Sequence, residues 1–105
     1  MFNFIKKLMG GASDEELKAK IKEGAFLVDV RTPVEFDAGK VKGSTNIPLD
    51  KIERSLSQFQ NKSSIIVFCR SGNRSSQAKA ILKRNGIQNV YNGGTWQAVN
   101  QLLHS

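Results

Sequence analysis

The chain is poor in the residues that staple small secreted domains: its 105 residues include one cysteine, one histidine and two prolines. A single thiol cannot form a disulfide within the chain, and it cannot supply a zinc site built from cysteine pairs. We therefore expect a protein of a reducing compartment, the cytoplasm, that needs neither a metal ion nor a cofactor. The length suits one domain with one modest core.

Long apolar runs are also missing. The apolar stretch at residues 1–9 is much shorter than the ~20 residues of a membrane-spanning helix, so no transmembrane segment is expected. Lys6 and Lys7 follow the first apolar residues and no cleavage site comes next, which argues against a secretory signal. We divide the chain into an N-terminal segment, residues 1–12, and a domain, residues 13–105. The segment is expected to be a short helix or docking arm, which either packs on the domain or binds a membrane surface or partner.

Acidic residues are outnumbered by basic ones, 9 to 16, which gives a formal net charge of +7 and a pI near 9.9. Such a balance favours anionic partners, which include nucleic acid, acidic membranes and small anions. The lysines and arginines are spread along the whole chain, and the aromatic residues do not alternate with them. We therefore expect no nucleic-acid partner and favour a small anionic one.

What the sequence does contain is a regular succession of helix and strand patterns, each closed by a turn signal. Ser13 with Glu16 forms a capping box at the start of one helix, and Thr32 with Glu35 forms another. Gly24 can end the first helix in a left-handed conformation. The predicted elements are a helix at 13–24, a strand at 26–30, a short helix at 32–39, a strand at 44–48, a helical segment at 50–59, a strand at 65–68, a helix ending near 85–86, a strand at 90–91, a turn at 93–94 and a helix over 96–103.

The alternation of these elements predicts an α/β fold. The strand at 26–30 is a nearly unbroken apolar run, which is typical of a parallel sheet covered on both faces. The strand at 65–68, the helix after it and the strand at 90–91 together span about 26 residues, the size of a crossover unit. These two strands are therefore predicted to be parallel neighbours.

The candidate site lies at the end of the strongest predicted strand, where open α/β sheets bind their ligands. Small, flexible and cationic residues lead from this strand into the next helix, and such a loop can turn backbone N–H groups towards an anion. An isolated cysteine after an apolar strand is usually an inert buried side chain, but the cationic loop makes a functional thiol the better interpretation. Gly72 and Asn73 are the residues expected at positive φ. The predicted site consists of Cys69 as the catalytic group and Arg70, Ser71, Gly72, Asn73, Arg74 and Ser75 as the substrate-binding loop.

Nucleophilic chemistry requires a thiolate, and an ordinary cysteine with a pKa of ~8.5 is only a few per cent ionised at neutral pH. Lowering that pKa by about two units needs roughly 2.7 kcal/mol, whereas a helix terminus supplies about 0.3–1 and at most about 2 kcal/mol. Arg70, Arg74 and the loop amides are the available supplements. His104 lies close to the C-terminus and is a poor general base, so a cysteine–histidine dyad is not expected.

Four stretches resemble the rhodanese domain in their order and spacing. They are Leu27–Phe36, Gly39–Pro48, Cys69–Ser75 and Asn92–Trp96, and the resemblance covers roughly residues 13–103. It implies an open, mostly parallel five-stranded sheet flanked by helices on both faces. It also implies thiosulfate sulfurtransferase or related persulfide transfer, in which Cys69 takes sulfur from thiosulfate or a persulfide donor and passes it to a thiol or cyanide.

The resemblance also assigns roles outside the loop. Asp29, Arg31 and Glu35 match positions that are structural in the family. We expect Arg31 and Glu35 to pair and to tie strand to helix, and we expect Trp96 to belong to the core rather than to contact a ligand.

Two departures from the family pattern concern the sulfur donor. Lys40 stands where many members have histidine, and Ser71 stands where some thiosulfate-using members carry a second cation. The acceptor must be external, because no second cysteine can resolve a persulfide within the chain. A small thiol or a thioredoxin-like protein is the expected partner.

Two other functions remain open. A cysteine phosphatase or arsenate reductase also places a cysteine and an arginine in an anion-binding loop, but those loops resemble Cys-x5-Arg, whereas four residues separate Cys69 from Arg74. The shorter loop suits a terminal sulfur better. The second alternative is a non-catalytic binding or sulfur-sensing module of the same fold, which the complete cationic loop disfavours.

Overall fold

The computed structural model of the protein describes residues 12–105, so the helix or docking arm expected at residues 1–12 lies almost wholly outside the described residues. Within the described range, no helix is long and apolar enough to cross a membrane. This range forms four α-helices, two short 3-10 helices and four strands. They are α1 (Asp14–Lys22), β1 (Phe26–Asp29), α2 (Pro33–Ala38), β2 (Thr45–Asn46), 3-10 helices at Leu49–Lys51 and Leu56–Phe59, β3 (Ile65–Cys69), α3 (Asn73–Arg84), β4 (Val90–Thr95) and α4 (Trp96–Leu103).

Two helices begin at the capping residues that the sequence indicates. At α1 the Ser13 hydroxyl accepts a hydrogen bond from the Glu16 backbone N–H at 3.2 Å. At α2 the Thr32 hydroxyl accepts from the Glu35 N–H, and the Glu35 carboxylate accepts from the Thr32 N–H at 3.1 Å. These bonds satisfy backbone donors that the first turn of a helix leaves unpaired. Gly24 follows α1 with a φ of 90°, the left-handed conformation that was predicted for it.

The four strands form one parallel sheet in the order β2-β1-β3-β4. Because successive residues of a strand point to opposite faces, the sheet separates two apolar cores. On one face, α3 and the 3-10 helices contribute Leu82 and Phe59; on the other, α1 and α4 contribute Leu17 and Val99. The predicted α/β fold with helices on both faces is confirmed.

The number of strands and the segment before β3 differ from the prediction. The described residues contain four strands and not five, since the four segments with strand patterns all pair and the fifth came from the family resemblance alone. Where one helical segment was expected at residues 50–59, the structure has two 3-10 helices, at Leu49–Lys51 and Leu56–Phe59. Asp50 lies inside the first of them instead of capping it, and no side chain caps either one. Ile52 and Phe59 are nevertheless fully buried, as their spacing indicates.

Strand β4 is longer than predicted and contains the two glycines that were expected to form a turn. Phe68 of β3 pairs with Gly94, so Gly93 is the extra residue of a β-bulge. A Cβ atom on Gly93 would lie 2.7 Å from a methyl group of Val99, which is closer than such atoms approach. The glycine therefore allows α4 to pack directly on the bulged strand.

Strand β3 lies in the middle of the sheet, between β1 and β4, and all of its residues are buried. At the carboxyl edge Phe68 pairs with Asp29 of β1, and Cys69 pairs with Thr95 of β4. The residues that follow β1, β3 and β4 therefore meet around Cys69, which is the edge where α/β sheets bind ligands.

Candidate active site

Cys69 is the last residue of β3, and its side chain is fully buried beneath the loop that follows. Its Sγ accepts a hydrogen bond from the Gly72 backbone N–H at 3.0 Å, and it lies 3.5 Å from the Ser75 hydroxyl. The sulfur belongs to the apolar core on one side and faces the Gly72 N–H and the Ser75 hydroxyl on the other. The apolar side disfavours a charged sulfur, whereas the hydrogen-bond donors favour one.

The loop itself is only three residues long, because Asn73 is already the first residue of α3. Gly72 caps the helix with a φ of 96°, which directs its N–H back to the sulfur, so the positive φ predicted for Gly72 is confirmed. The same prediction for Asn73 is wrong, since this residue is helical. Negative charge on the sulfur would therefore lie at the N-terminal end of a twelve-residue helix, where it is stabilised.

Opposing effects set the ionisation of the thiol. Burial acts to raise the pKa of Cys69, whereas hydrogen bonds from the Ser75 hydroxyl and from the backbone amides of Ser75, Ser71 and Gly72 act to lower it. The hydrogen bonds prevail, and the pKa lies below the ordinary value of a cysteine. Backbone amides and one hydroxyl therefore account for the lowered pKa of Cys69. From the sequence, we expected the two arginines to contribute as well.

Arg74 does not point its guanidinium at an open anion site. It forms two parallel bonds with the carboxylate of Glu35, at 2.7 and 3.0 Å, and so ties α3 to α2. The Arg74 guanidinium and the Thr32 N–H lower the pKa of Glu35 to about 2. The predicted pairing of Glu35 with Arg31 is therefore wrong: its partner lies 39 residues further along the chain.

Arg31 pairs instead with the residue two positions before it. Its guanidinium donates to both carboxylate oxygens of Asp29, at 2.6 to 3.0 Å, and to the Gly39 carbonyl, and both members of the ion pair are buried. The guanidinium also lies 4.9 Å from the ring centre of Trp96. The structural role predicted for Asp29 and Arg31 is confirmed, and Trp96 packs against the core as expected.

Arg70 and Ser71 form the outer surface of the loop. Both are exposed, and the Arg70 side chain forms no hydrogen bond or ion pair with residues 12–105. The structure thus separates the two arginines of the loop: Arg74 is held by Glu35, whereas Arg70 remains able to meet an anion from solvent. The structure buries Cys69, because the backbone of Gly72 lies directly over the sulfur.

Asn92 is a site residue that the sequence argument did not single out. It lies on β4, is buried, and contacts the Ser75 hydroxyl of α3 at 2.7 Å and the Gly72 carbonyl of the loop at 3.3 Å. The sequence feature that could have pointed to Asn92 is its position just before two glycines, at the carboxyl end of a strand parallel to β3. Only the register of β4 shows that this side chain reaches the residues around Cys69.

A shallow cleft of about 270 Å³ opens beside the Arg74–Glu35 pair. It lies between the end of β1, the first 3-10 helix and the start of α3, and its lining is mostly apolar. The lining residues are Val30, Thr32, Pro48, Leu49, Asp50 and Arg74.

The chain is similar to known proteins in sequence and in fold. Residues 13–98 match the model of the rhodanese-like domain family. A sulfurtransferase of Allochromatium vinosum is 36% identical over 70 residues, which covers 67% of this chain and 65% of the relative. The match therefore spans less than two thirds of that relative's own length.

Two solved structures share the fold. The human single-domain sulfurtransferase TSTD1 superposes with a TM-score of 0.71 at 26% identity, over 85% of this chain and 93% of its own. A protein of Rhodopseudomonas palustris, described as a possible tyrosine phosphatase, superposes with a TM-score of 0.74 at 20% identity, over 91% of this chain and 82% of its own. At that identity the second likeness concerns the fold alone. From the match of residues 13–98, the chain belongs to the family of rhodanese-like domains.

Proposed function

We propose that the protein is a sulfurtransferase that carries sulfane sulfur as a persulfide on Cys69. The thiolate attacks the outer sulfur of thiosulfate, the sulfur–sulfur bond of the donor breaks, and sulfite leaves with the bonding electrons. A persulfide donor reacts in the same way and leaves as a thiolate. In the second step an external thiolate or cyanide attacks the terminal sulfur, and Cys69 departs as a thiolate ready for another cycle.

The observation that carries this proposal is the hydrogen-bonding environment of the Cys69 sulfur. An inert core cysteine has no need of donors, yet the Gly72 N–H lies 3.0 Å from Sγ and the Ser75 hydroxyl lies 3.5 Å from it. These donors lower the pKa of Cys69 despite its burial, which otherwise raises it. The same donors would stabilise the negative charge of the thiolate that leaves in the second step.

Burial of the sulfur has a consequence for how the donor enters. Because Cys69 is fixed on the central strand, the loop of residues 70–72 must move outward to admit a second sulfur atom. Arg70 is exposed on this loop and would meet the sulfonate end of thiosulfate or another anionic donor before the sulfur is reached. The proposed partners are a small anionic donor and an external acceptor, either a small thiol or a thioredoxin-like protein. The proposed location is a reducing compartment, the cytoplasm.

The test is mass spectrometry of the intact protein after incubation with thiosulfate. We expect a gain of about 32 Da, the mass of one sulfur atom, that is reversed by a thiol or by cyanide. Cys69→Ser should abolish the gain while leaving the circular dichroism spectrum unchanged. Ser57→Ala, a change at an exposed residue of the second 3-10 helix, is the control that should keep it.

The same experiment separates the alternatives. A cysteine phosphatase would release phosphate from an aryl phosphate without taking up sulfur, and a non-catalytic module would do neither. The pairing of Arg74 with Glu35 argues against the phosphatase, because that reaction needs the loop arginine to bind the phosphate oxygens. Phosphate release without sulfur uptake would refute the sulfurtransferase.

A further inference from the structure

Asn92 is buried behind the active-site loop and is bonded at both ends of its amide. It is 5% exposed; its Oδ1 accepts from the Ser75 hydroxyl at 2.7 Å and from the Gly94 N–H at 2.9 Å. Its Nδ2 donates to the Gly72 carbonyl at 3.3 Å. The Gly94 N–H identifies the amide oxygen, because an amide NH₂ group cannot accept that hydrogen bond. The side chain therefore presents a fixed acceptor to Ser75.

The Ser75 hydroxyl has one proton and three acceptors within reach. The Asn92 oxygen lies at 2.7 Å, the Gly72 carbonyl at 3.1 Å and the Cys69 sulfur at 3.5 Å. Because a hydroxyl donates one hydrogen bond while accepting others, these contacts compete for the proton. The shortest of them is the contact with Asn92.

We infer that Asn92 is a positioning residue: it competes with the Cys69 sulfur for the Ser75 hydroxyl proton and so sets how strongly Ser75 can stabilise the Cys69 thiolate. When Cys69 is a thiol, Ser75 donates to Asn92, and the S–H group donates to the Ser75 oxygen. When the thiol proton leaves to water, the Ser75 proton stays on its oxygen and turns to the sulfur, while Asn92 keeps the Gly94 N–H. The inference rests on the proposed function for the identity of the sulfur chemistry.

Two ion pairs and the exposed Arg70 of the loop are the charged groups near the thiol, and none of them is hydrogen-bonded to the Ser75 hydroxyl. Arg74 on α3 is paired with Glu35 of α2, and Asp29 of β1 is paired with Arg31, so each carboxylate already holds a guanidinium. Strand β4 contributes the neutral Asn92 at this place, and its Tyr91 packs on the opposite face of the sheet. Against burial, the Ser75 hydroxyl is foremost among the bonds that lower the pKa of Cys69.

Alkylation of the protein by iodoacetamide as a function of pH tests the inference, because one cysteine gives one unambiguous titration. Asn92→Asp places a carboxylate that holds the Ser75 proton more firmly and repels the thiolate. We expect the midpoint of the pH profile to move upward and alkylation at pH 7 to slow about tenfold, the usual size of one charged hydrogen bond. Asn61→Asp, the same change at an exposed position before β3, should leave the profile unchanged.

The decisive comparison is the same substitution without the hydroxyl. In a Ser75→Ala background, Asn92→Asp should raise the midpoint less, because only direct repulsion of the thiolate remains. An equal rise in both backgrounds, or no rise at all, would show that Asn92 does not act through Ser75. A merely structural role would disturb folding without producing this dependence on Ser75.

A second measurement applies if Asn92→Asp does not fold. The S–H stretching band of the unaltered protein should lie at lower frequency than in Ser75→Ala, since the thiol donates to Ser75 as long as Asn92 holds the Ser75 proton. An identical band in the two proteins would overturn the inference. Neither readout involves sulfur transfer, so a protein that shows the predicted titration but takes up no sulfur refutes the proposed function alone.

Discussion

The bond between Glu35 and Arg74 predicts a stability difference that disappears in acid. Glu35→Gln removes the charge but keeps an oxygen that can accept from the Thr32 N–H, so the cap of α2 is retained. The pKa of Glu35 is lowered from 4.5 to about 2, chiefly by the Arg74 guanidinium. At about 1.4 kcal/mol for each pKa unit, the carboxylate contributes at most about 3.5 kcal/mol. The two side chains are 27–31% exposed. Because solvent screens such a pair, we expect Glu35→Gln to lower the free energy of unfolding by about 1–2 kcal/mol.

The direction of the pH dependence follows from whether the folded or the unfolded protein binds a proton more readily at Glu35. A carboxyl group whose pKa is lower in the folded than in the unfolded state adds stability that is complete above pH 4.5 and is lost as the pH falls towards 2. Urea denaturation of the unaltered protein and of Glu35→Gln should therefore give free energies of unfolding that differ at pH 7 and converge to less than half of that difference by pH 3. Asp37→Asn removes an exposed carboxylate from the same helix and is the matched control, with little effect at either pH. A gap of equal size at pH 7 and pH 3 would refute the reasoning, because it would mean that charge on Glu35 is irrelevant.

Two further predictions concern the bulge and the outer surface of the loop. Gly93→Ala should lower the free energy of unfolding by about 1–3 kcal/mol, because its Cβ would lie 2.7 Å from a Val99 methyl. Urea denaturation measures this free energy. A loss below about 0.5 kcal/mol would contradict the close packing of α4 on β4. Arg70→Ala should slow sulfur uptake from thiosulfate and weaken its dependence on salt while leaving unfolding unchanged, whereas Arg84→Ala, at the far exposed end of α3, should alter neither rate nor stability. Equal rates for the two arginine variants would show that Arg70 does not attract the donor.

Local features of the fold were predictable from the sequence because they depend on neighbouring residues. Thr32 and Glu35 form the box that begins α2, and Gly24 closes α1, since each needs only residues a few positions away. The position of Cys69 at the end of a buried strand was predictable for the same reason. The segment at 50–59 was not: apolar spacing indicates which side chains are buried, but it does not distinguish one α-helix from two 3-10 helices.

Contacts between distant segments were the part that the sequence did not reveal. Arg31 and Glu35 are four residues apart, which suggests a pair, yet Arg31 binds Asp29 and Glu35 binds Arg74. The second of these pairs depends on how α2 and α3 meet across the edge of the sheet. The contacts of Asn92 likewise depend on the register in which β4 pairs with β3, which local sequence patterns do not indicate.

The position of Cys69 on β3 has a consequence for the motions of the molecule. Strand β3 is hydrogen-bonded on both sides and buried on both faces, so its backbone amides should be among the slowest in the protein to exchange with deuterium. The sulfur of Cys69 is thus attached to a strand that is buried on both faces, and in the reaction proposed above the three-residue loop over it is the part that has to move. Reactivity and global unfolding should consequently have independent temperature dependences, because the loop can open while the sheet stays closed.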